Sequence, residues 1–103
     1  MNIPVHSKSE LLACLMANKD TIKFFGVKQL GLFGSFVSGK VTNESDIDLL
    51  IDFMPGKKSY DNFIGLTFFL QEVTGRKIEL VTRESLSPYI GPRILKQIEH
   101  VGI

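Results

Sequence analysis

Three apolar segments with the length and composition of β-strands are the strongest constraint on how this chain can fold. The first runs from about Val27 to Phe33, the second is DIDLLIDF at 46–53, and the third is RKIELVT at 76–82. A helical pattern between the second and third segments begins after Ser59, a suitable N-cap, and closes at Gly75. Because these two strands bracket a helix, they can be parallel neighbours in one sheet.

A helix is also expected before the first strand. Ser7 and Glu10 have the spacing of a capping box, and the apolar residues that follow recur at helical intervals. We expect this helix to be broken near Asn18 and to stop before Gly26, a residue that suits a left-handed cap.

The C-terminal segment is expected to be helical as well. Ser87-Pro88 and Gly91-Pro92 each place proline at the first position of a helix, which predicts helical structure up to His100. The predicted order is α-β-β-α-β-α. The fold class is therefore α+β, with a small mixed β-sheet flanked by helices in a single domain covering 1–103.

The composition excludes several classes of function. Twelve Lys and Arg against eleven Asp and Glu leave a formal charge of +1. Proteins that grip a nucleic-acid backbone show a basic excess, so direct nucleic-acid binding is not expected.

The longest apolar runs are too short to span a bilayer. The single cysteine, Cys14, lies on a helical apolar pattern, so we expect a buried thiol in a soluble cytoplasmic protein.

The segment GSFVSGKV at 34–41 has glycines that could cradle a phosphate. Gly34, Gly39 and Lys40 come close to the spacing of an ATP-binding Walker A loop. That motif needs Ser or Thr after the lysine and a helix beginning there, whereas Val41 follows and the next residues are typical of a loop. A Walker A loop is therefore disfavoured, and two ordinary turn glycines remain an alternative.

Two carboxylates enter the second strand together. Side chains alternate between the faces of a strand, so Asp46 and Asp48 are expected on the same side, about 6.5 Å apart along the backbone. Oxygen ligands at that separation can converge on Mg²⁺, which also accepts phosphate oxygens. A solvated strand end is the alternative. Asp52 has the same parity but is expected to be an edge or surface charge.

A third acid lies inside the apolar third strand. Glu79 is flanked by Ile78, Leu80 and Val81, and a carboxylate in such a strand is costly unless it is paired, ligated or at an exposed edge. If the strand lies beside the second, Glu79 can complete a three-carboxylate cluster that holds one or two metal ions. An edge position that favours solubility is the alternative.

The combined pattern resembles a known family. Gly34-Ser35, ten residues, Asp46-x-Asp48 and a later strand acid are similar to the nucleotidyltransferase superfamily of polymerase-beta type. The phrase LFGSFVSGKVTNESDIDLLIDF at 32–53 resembles its minimal members, the MNT domains. The resemblance extends from the first helix to the third strand.

This resemblance implies a function and a set of site residues. The implied activity is transfer of AMP from ATP to a hydroxyl, with one or two Mg²⁺ ions as cofactor. Gly34 and Ser35 would bind the triphosphate, and Asp46, Asp48 and Glu79 would be the catalytic metal ligands.

The sequence departs from the family pattern at two positions. Minimal members commonly have arginine where this chain has Ser38, and the third acid is commonly Asp rather than Glu79. Lys40 can supply a positive charge, but a point charge does not replace a bidentate guanidinium. Both differences concern the catalytic rate more than the fold.

The resemblance also implies a partner. Minimal nucleotidyltransferases of this kind pair with HEPN-domain ribonuclease toxins and act as antitoxins by adenylylating them, often on a tyrosine. A second copy of the chain is another surface that could complete the site. The main alternative is a catalytically degenerate module that neutralises its partner by docking alone. A small-molecule acceptor is disfavoured, since 103 residues leave no room for a substrate-binding lobe.

Overall fold

The structure is a computed structural model that describes residues 4–103, so residues 1–3 of the expected domain lie outside the described residues. It contains a four-stranded mixed sheet and several helices. In chain order the elements are α1 (Lys8–Ala17), α2 (Lys19–Phe24), β1 (Val27–Phe33), α3 (Ser35–Ser38), β2 (Ile47–Phe53), α4 (Tyr60–Thr74), β3 (Ile78–Thr82), a short 3-10 helix (Arg83–Ser85), α5 (Gly91–Gln97) and β4 (Glu99–Val101).

The strands are arranged in the order β3-β2-β1-β4. β1 pairs antiparallel with both β2 and β4. β2 and β3 are parallel, and α4 makes the crossover between them. The predicted α+β class and the parallel pairing of the second and third strands are therefore confirmed.

One face of the sheet forms the hydrophobic core. Alternate residues of each strand point to this face, where helices α1, α2 and α4 supply the other half of the contacts. The strand and helix residues that are almost fully buried there include Leu11, Leu15, Ile22, Leu30, Leu32, Ile47, Leu49, Ile51, Leu66 and Leu70. The alternation leaves the intervening strand residues, among them Asp48, for the opposite face.

The predicted helix ends are confirmed by their caps. The Ser7 hydroxyl accepts the Glu10 N–H at 3.1 Å, and the Ser59 hydroxyl accepts the Asn62 N–H at the same distance. α1 and α2 are separate helices that meet at Asn18. α4 ends at Gly75, which has a left-handed conformation with φ of 70°.

The predicted C-terminal helix is wrong in extent. Ser87-Pro88 forms a turn in which Ser87 accepts hydrogen bonds from the N–H groups of Ile90 and Gly91. α5 begins at Gly91 and ends at Gln97, and His100 lies in the short strand β4. β4 pairs with β1 and so satisfies backbone groups at an edge of β1 that would otherwise be open.

Two other expectations can be compared with the structure. The Cys14 thiol is partly buried, lies 3.4 Å from the Val73 carbonyl oxygen and has a pKa raised mainly by burial, which suits a packing role.

Among residues 4–103 there is no helix with the length and apolar character that a bilayer crossing requires.

The N-cap of α4 offers a test of the fold. Replacing Ser59 with alanine leaves the Asn62 N–H without its partner and should lower the free energy of unfolding by about 1 kcal/mol. Urea denaturation measures this change. Ser9→Ala, at an exposed site inside α1, is the matched control and should change stability by less than about 0.5 kcal/mol. Equal effects of the two substitutions would contradict the assigned cap.

Candidate active site

Gly34 connects β1 to α3 in a conformation that only glycine adopts readily. Its φ of 78° and ψ of −151° lie in a region closed to other residues by steric overlap. A Cβ atom placed on Gly34 would also overlap the carboxylate of Asp48. The residue is therefore glycine for two reasons, and its backbone lies directly against the Asp48 side chain.

The helix α3 was not anticipated from the sequence, which predicted only a turn at Gly34-Ser35. Its single turn is closed by Gly39 in a left-handed conformation, and the N–H groups of Gly39 and Lys40 both donate to the Ser35 carbonyl oxygen, at 3.0 and 3.2 Å. Phe36 is buried in the core and anchors the turn. Residues 40–46 form a loop rather than the helix of a Walker A motif, as expected.

The two predicted acids of the second strand have different local structures. β2 begins at Ile47, whose N–H donates to the Lys77 carbonyl oxygen at 3.0 Å, so Asp46 ends the preceding loop. Asp48 lies within β2, opposite Phe33 on β1 and Glu79 on β3. Both aspartates are half-buried. The register therefore brings the ends of β1, β2 and β3 together around Asp48.

The electrostatics of Asp48 show that the three predicted acids are close. The pKa of Asp48 is raised above its ordinary value of 3.8, first by burial of the carboxylate and then by the negative charges of Glu79 and Asp46. Two like charges thus act on one half-buried group. A bound cation would reverse the sign of this interaction.

Asp52 differs from these three acids. Of the two placements expected from the sequence, the sheet edge is wrong, whereas a surface charge agrees with its partly exposed side chain. It lies on the inner strand β2 rather than at a sheet edge, and its two carboxylate oxygens share the single Nε–H of Arg83, at 3.3 and 3.2 Å. Asp52 is therefore already neutralised by a protein cation. Its neighbour on the same strand face, Asp48, is instead surrounded by negative charge.

The position of Glu79 agrees with both of its sequence interpretations. β3 is an edge strand and Glu79 is exposed, as expected for a residue that protects an edge from aggregation. Its pairing with Asp48 on the parallel neighbour also places it at the carboxylate site.

The donor set is suited to Mg²⁺ even though it is not a closed metal cage. Within residues 4–103, no group of three or more His, Cys, Asp or Glu side chains is arranged to hold a metal ion. Mg²⁺ is usually bound by one or two carboxylates together with substrate phosphates, rather than by a cage made only of protein ligands. Asp46 and Asp48 offer carboxylate oxygens of this kind, and the Asp48 carboxylate lies against the backbone of Gly34.

The sequence interpretation missed one residue of the site region, Arg76. Its guanidinium is buried and donates hydrogen bonds to carbonyl oxygens on the loop that precedes Asp46. These partners are 34 and 31 residues away in sequence. A local pattern search has no means of pairing them, and the only available signal was an arginine directly before an apolar strand.

Comparison with known proteins gives the class of this fold and site. A model of the nucleotidyltransferase domain family matches residues 16–100. The chain belongs to the nucleotidyltransferase domain family, so the resemblance stated from the sequence motif is confirmed and the protein is a nucleotidyltransferase. The protein adenylyltransferase MntA of Thermococcus cleftensis is 35% identical over 95 residues, which cover 89% of this chain and 93% of that relative.

Solved structures share the fold. A structure of a candidate minimal nucleotidyltransferase superposes with a TM-score of 0.79 at 24% identity, covering 90% of this chain and 94% of the other. A chain from a toxin–antitoxin crystal structure with AMP-PNP superposes with a TM-score of 0.65 at 19% identity, covering 91% of this chain and 71% of the other. At these identities the likeness establishes a common fold.

The contact between Gly34 and Asp48 can be tested by a pair of glycine substitutions. Gly34→Ala adds backbone strain and an overlap with the Asp48 carboxylate, and should lower the free energy of unfolding by more than about 2 kcal/mol. Gly39→Ala has a similar positive φ but no atom within 4 Å of the added Cβ, so it should cost only about 1 kcal/mol. Chemical denaturation of both variants measures the difference. Equal losses would show that Asp48 does not crowd Gly34.

The charge on Asp48 should destabilise the metal-free protein. Its folded-state pKa is raised, so the folded protein retains the proton to higher pH than the unfolded chain does. Stability is therefore lost as pH rises from the ordinary value of 3.8 through the folded-state pKa, and the loss is complete above it. Asp48→Asn removes this charge and should raise the unfolding free energy at pH 7 by less than about 1 kcal/mol, because the group is partly solvated.

Asp52→Asn is the matched control for this measurement. It removes a carboxylate four residues along the same strand, but one that is paired with Arg83. It should leave stability unchanged or lower it, again by less than about 1 kcal/mol. Thermal unfolding followed from pH 4 to pH 8 without divalent cations compares the two variants. A destabilised Asp48→Asn protein at pH 7 would contradict the electrostatic assignment.

Proposed function

We propose that this chain transfers AMP from ATP to a tyrosine hydroxyl on a HEPN-domain toxin and thereby acts as an antitoxin. The observation that carries the proposal is the register that places Gly34, Asp48 and Glu79 together at the ends of three neighbouring strands. The identity to a protein adenylyltransferase over most of both chains supports protein as the acceptor.

The proposed metal ligands are Asp46, Asp48 and Glu79, which would hold one or two Mg²⁺ ions. The structural argument is the environment of Asp48, because burial and then the negative charges of Glu79 and Asp46 raise its pKa and favour binding of a cation. Bound Mg²⁺ would neutralise charge on the triphosphate and lower the pKa of the acceptor hydroxyl.

Gly34 and Ser35 would position the triphosphate of ATP. Gly34 brings its backbone against the Asp48 carboxylate, so a phosphate held through a cation at Asp48 would lie beside the Gly34-Ser35 turn. The hydroxyl of Ser35 follows directly at the start of α3. In the transfer step the tyrosine oxygen forms a bond to the α-phosphorus of ATP, while the bond from that phosphorus to the bridging oxygen breaks. Pyrophosphate leaves with the bond electrons, and the hydroxyl proton passes to water.

The proposed partner follows from the comparisons and from the family resemblance. Structural neighbours include a chain from a toxin–antitoxin structure that contains AMP-PNP and chains from MntA–HepT toxin–antitoxin structures. The resemblance to minimal nucleotidyltransferases implies a HEPN-domain ribonuclease. An added AMP group would bring a negative charge to the modified surface, and near a ribonuclease site that charge would repel RNA phosphates.

Two features favour a binding module without catalysis as the second candidate. The position that is commonly arginine in minimal members is Ser38, an exposed residue whose hydroxyl lies 3.4 Å from the Ser35 carbonyl oxygen. Glu79 is exposed at the sheet edge, where it can serve solubility alone. The cation nearest to Ser38 in sequence is Lys40, whose backbone N–H donates to the same Ser35 carbonyl oxygen.

Intact-mass spectrometry of a co-expressed HEPN-domain partner tests the proposal. The partner should gain one or more adenylyl units with the unchanged chain, and these additions should disappear with Asp46→Ala and with Asp48→Asn. Asp52→Asn, which alters a neighbouring carboxylate already paired with Arg83, should retain modification within about threefold of the parent. A partner that is neutralised and tightly bound but never modified would overturn the enzyme in favour of the binding module.

A further inference from the structure

Arg76 is a buried arginine whose partners are backbone carbonyl oxygens. The residue is 7% exposed. Nε donates to the Val5 carbonyl oxygen at 2.6 Å, and Nη1 donates to the carbonyl oxygens of Thr42 and Ser45 at 2.9 and 2.8 Å. Burying a guanidinium is costly, so the segments that supply these oxygens must be held in place to satisfy it.

Arg76 contacts two segments beside the proposed site, the turn that precedes Asp46 and the helix α3 that follows Gly34. Ser45 directly precedes Asp46, so the hydrogen bond to its carbonyl oxygen constrains the backbone that orients that acid. The Arg76 guanidinium carbon lies 5.2 Å from the centre of the Phe36 ring, and Phe36 directly follows Ser35. Arg76 itself is three residues before Glu79.

The loop before Asp46 has few other long-range constraints in its hydrogen bonding. Thr42 and Ser45 bond to each other through Thr42 N–H to Ser45 Oγ at 2.8 Å and Ser45 N–H to the Thr42 carbonyl oxygen at 3.2 Å. These bonds fix the shape of the turn but not its position on the protein. The hydrogen bonds from the Arg76 guanidinium attach both ends of that turn to the segment that precedes β3.

We propose that Arg76 is a positioning residue for nucleotide transfer, which orders the 42–45 turn and so places Asp46 for cation and triphosphate binding. This rests on the proposed function for the role of Asp46. Arg76 does not touch the reacting atoms. It acts through the backbone of Ser45 and through the packing of Phe36 beneath the Gly34-Ser35 turn.

The planar guanidinium is suited to this task in a way that lysine is not. One side chain binds three carbonyl oxygens and stacks on an aromatic ring, whereas an ammonium group is a compact point charge. Arg76→Lys therefore keeps the positive charge but removes the planar guanidinium that donates to the three carbonyl oxygens. Arg83→Lys is the matched control, because it makes the same chemical change at an exposed arginine paired with Asp52.

The first measurement needs no nucleotide. Amide hydrogen exchange of the nucleotide-free protein should show faster exchange across 42–46 in Arg76→Lys, by about tenfold, with smaller changes in the core strands. Arg83→Lys should leave this segment unchanged. Ile22→Val is a core substitution distant in sequence from the turn, and it controls for a general loss of stability. It should not increase amide exchange selectively at 42–46.

The second measurement is transfer to the partner as Mg²⁺ and ATP are varied, well below the melting temperatures of the variants. Arg76→Lys should lower kcat by about tenfold or more and raise the Mg²⁺ concentration needed for half-maximal rate, because Asp46 is misplaced. If Arg76→Lys does not fold, Phe36→Leu removes the stacked ring while keeping an apolar side chain, and should show both effects to a smaller degree.

The outcomes separate this inference from the proposed function. The first outcome is that the unchanged protein transfers AMP, and that Arg76→Lys lowers the melting temperature but keeps wild-type amide exchange at 42–46 and wild-type Mg²⁺ dependence. Arg76 would then have only a structural role, and the inference would be overturned. If the unchanged protein neither binds MgATP by calorimetry nor modifies its partner, the proposed function is overturned, and the positioning role with it.

Discussion

The parallel pairing of β2 with β3 is the constraint on which the rest of the site depends. Ile47 pairs with Ile78 on the buried face, and burial of these two side chains leaves little freedom for the strands to slip. Side chains alternate, so a shift of one residue would expose the isoleucines and bury the acids. The apolar register therefore places Asp48 beside Glu79. The fold tolerates the charge repulsion between Asp48 and Glu79 because burial of apolar side chains on the other face of the sheet contributes more to stability.

That repulsion also explains how a stable fold can retain a reactive site. Native proteins usually neutralise half-buried carboxylates, as Arg83 does for Asp52 on the same strand face. Asp48 is instead half-buried near two like charges, and its pKa is raised first by burial and then by those charges. Groups with shifted pKa values cluster at functional sites, because burial and neighbouring charges there adjust the pKa to the chemistry. Asp52 and Asp48 thus lie on one strand in different electrostatic environments. Asp52, paired with Arg83, is a structural acid, whereas Asp48 is a candidate functional one.

Local sequence patterns predicted the parts of the fold that depend on local chemistry. Gly34, Asp48 and Glu79 were found because strand alternation and glycine geometry are visible over a few residues. The C-terminal strand was missed because β4 exists only where β1 offers an edge, and β1 lies about seventy residues earlier. Arg76 was missed for the same reason, since its carbonyl partners come from distant segments. Tertiary contacts, not propensity, decided both.

The exposure of the acids bears on why a protein acceptor suits this site. Asp46 and Asp48 are half-buried and Glu79 is exposed, so water reaches the carboxylates in the free chain. Water is a competing acceptor for an activated phosphoryl group, and sites that transfer such groups work best when water is excluded. A protein docked over this face would both present the hydroxyl and remove the competitor. Under the proposed function, partner binding and catalysis would therefore be coupled by desolvation of the same surface.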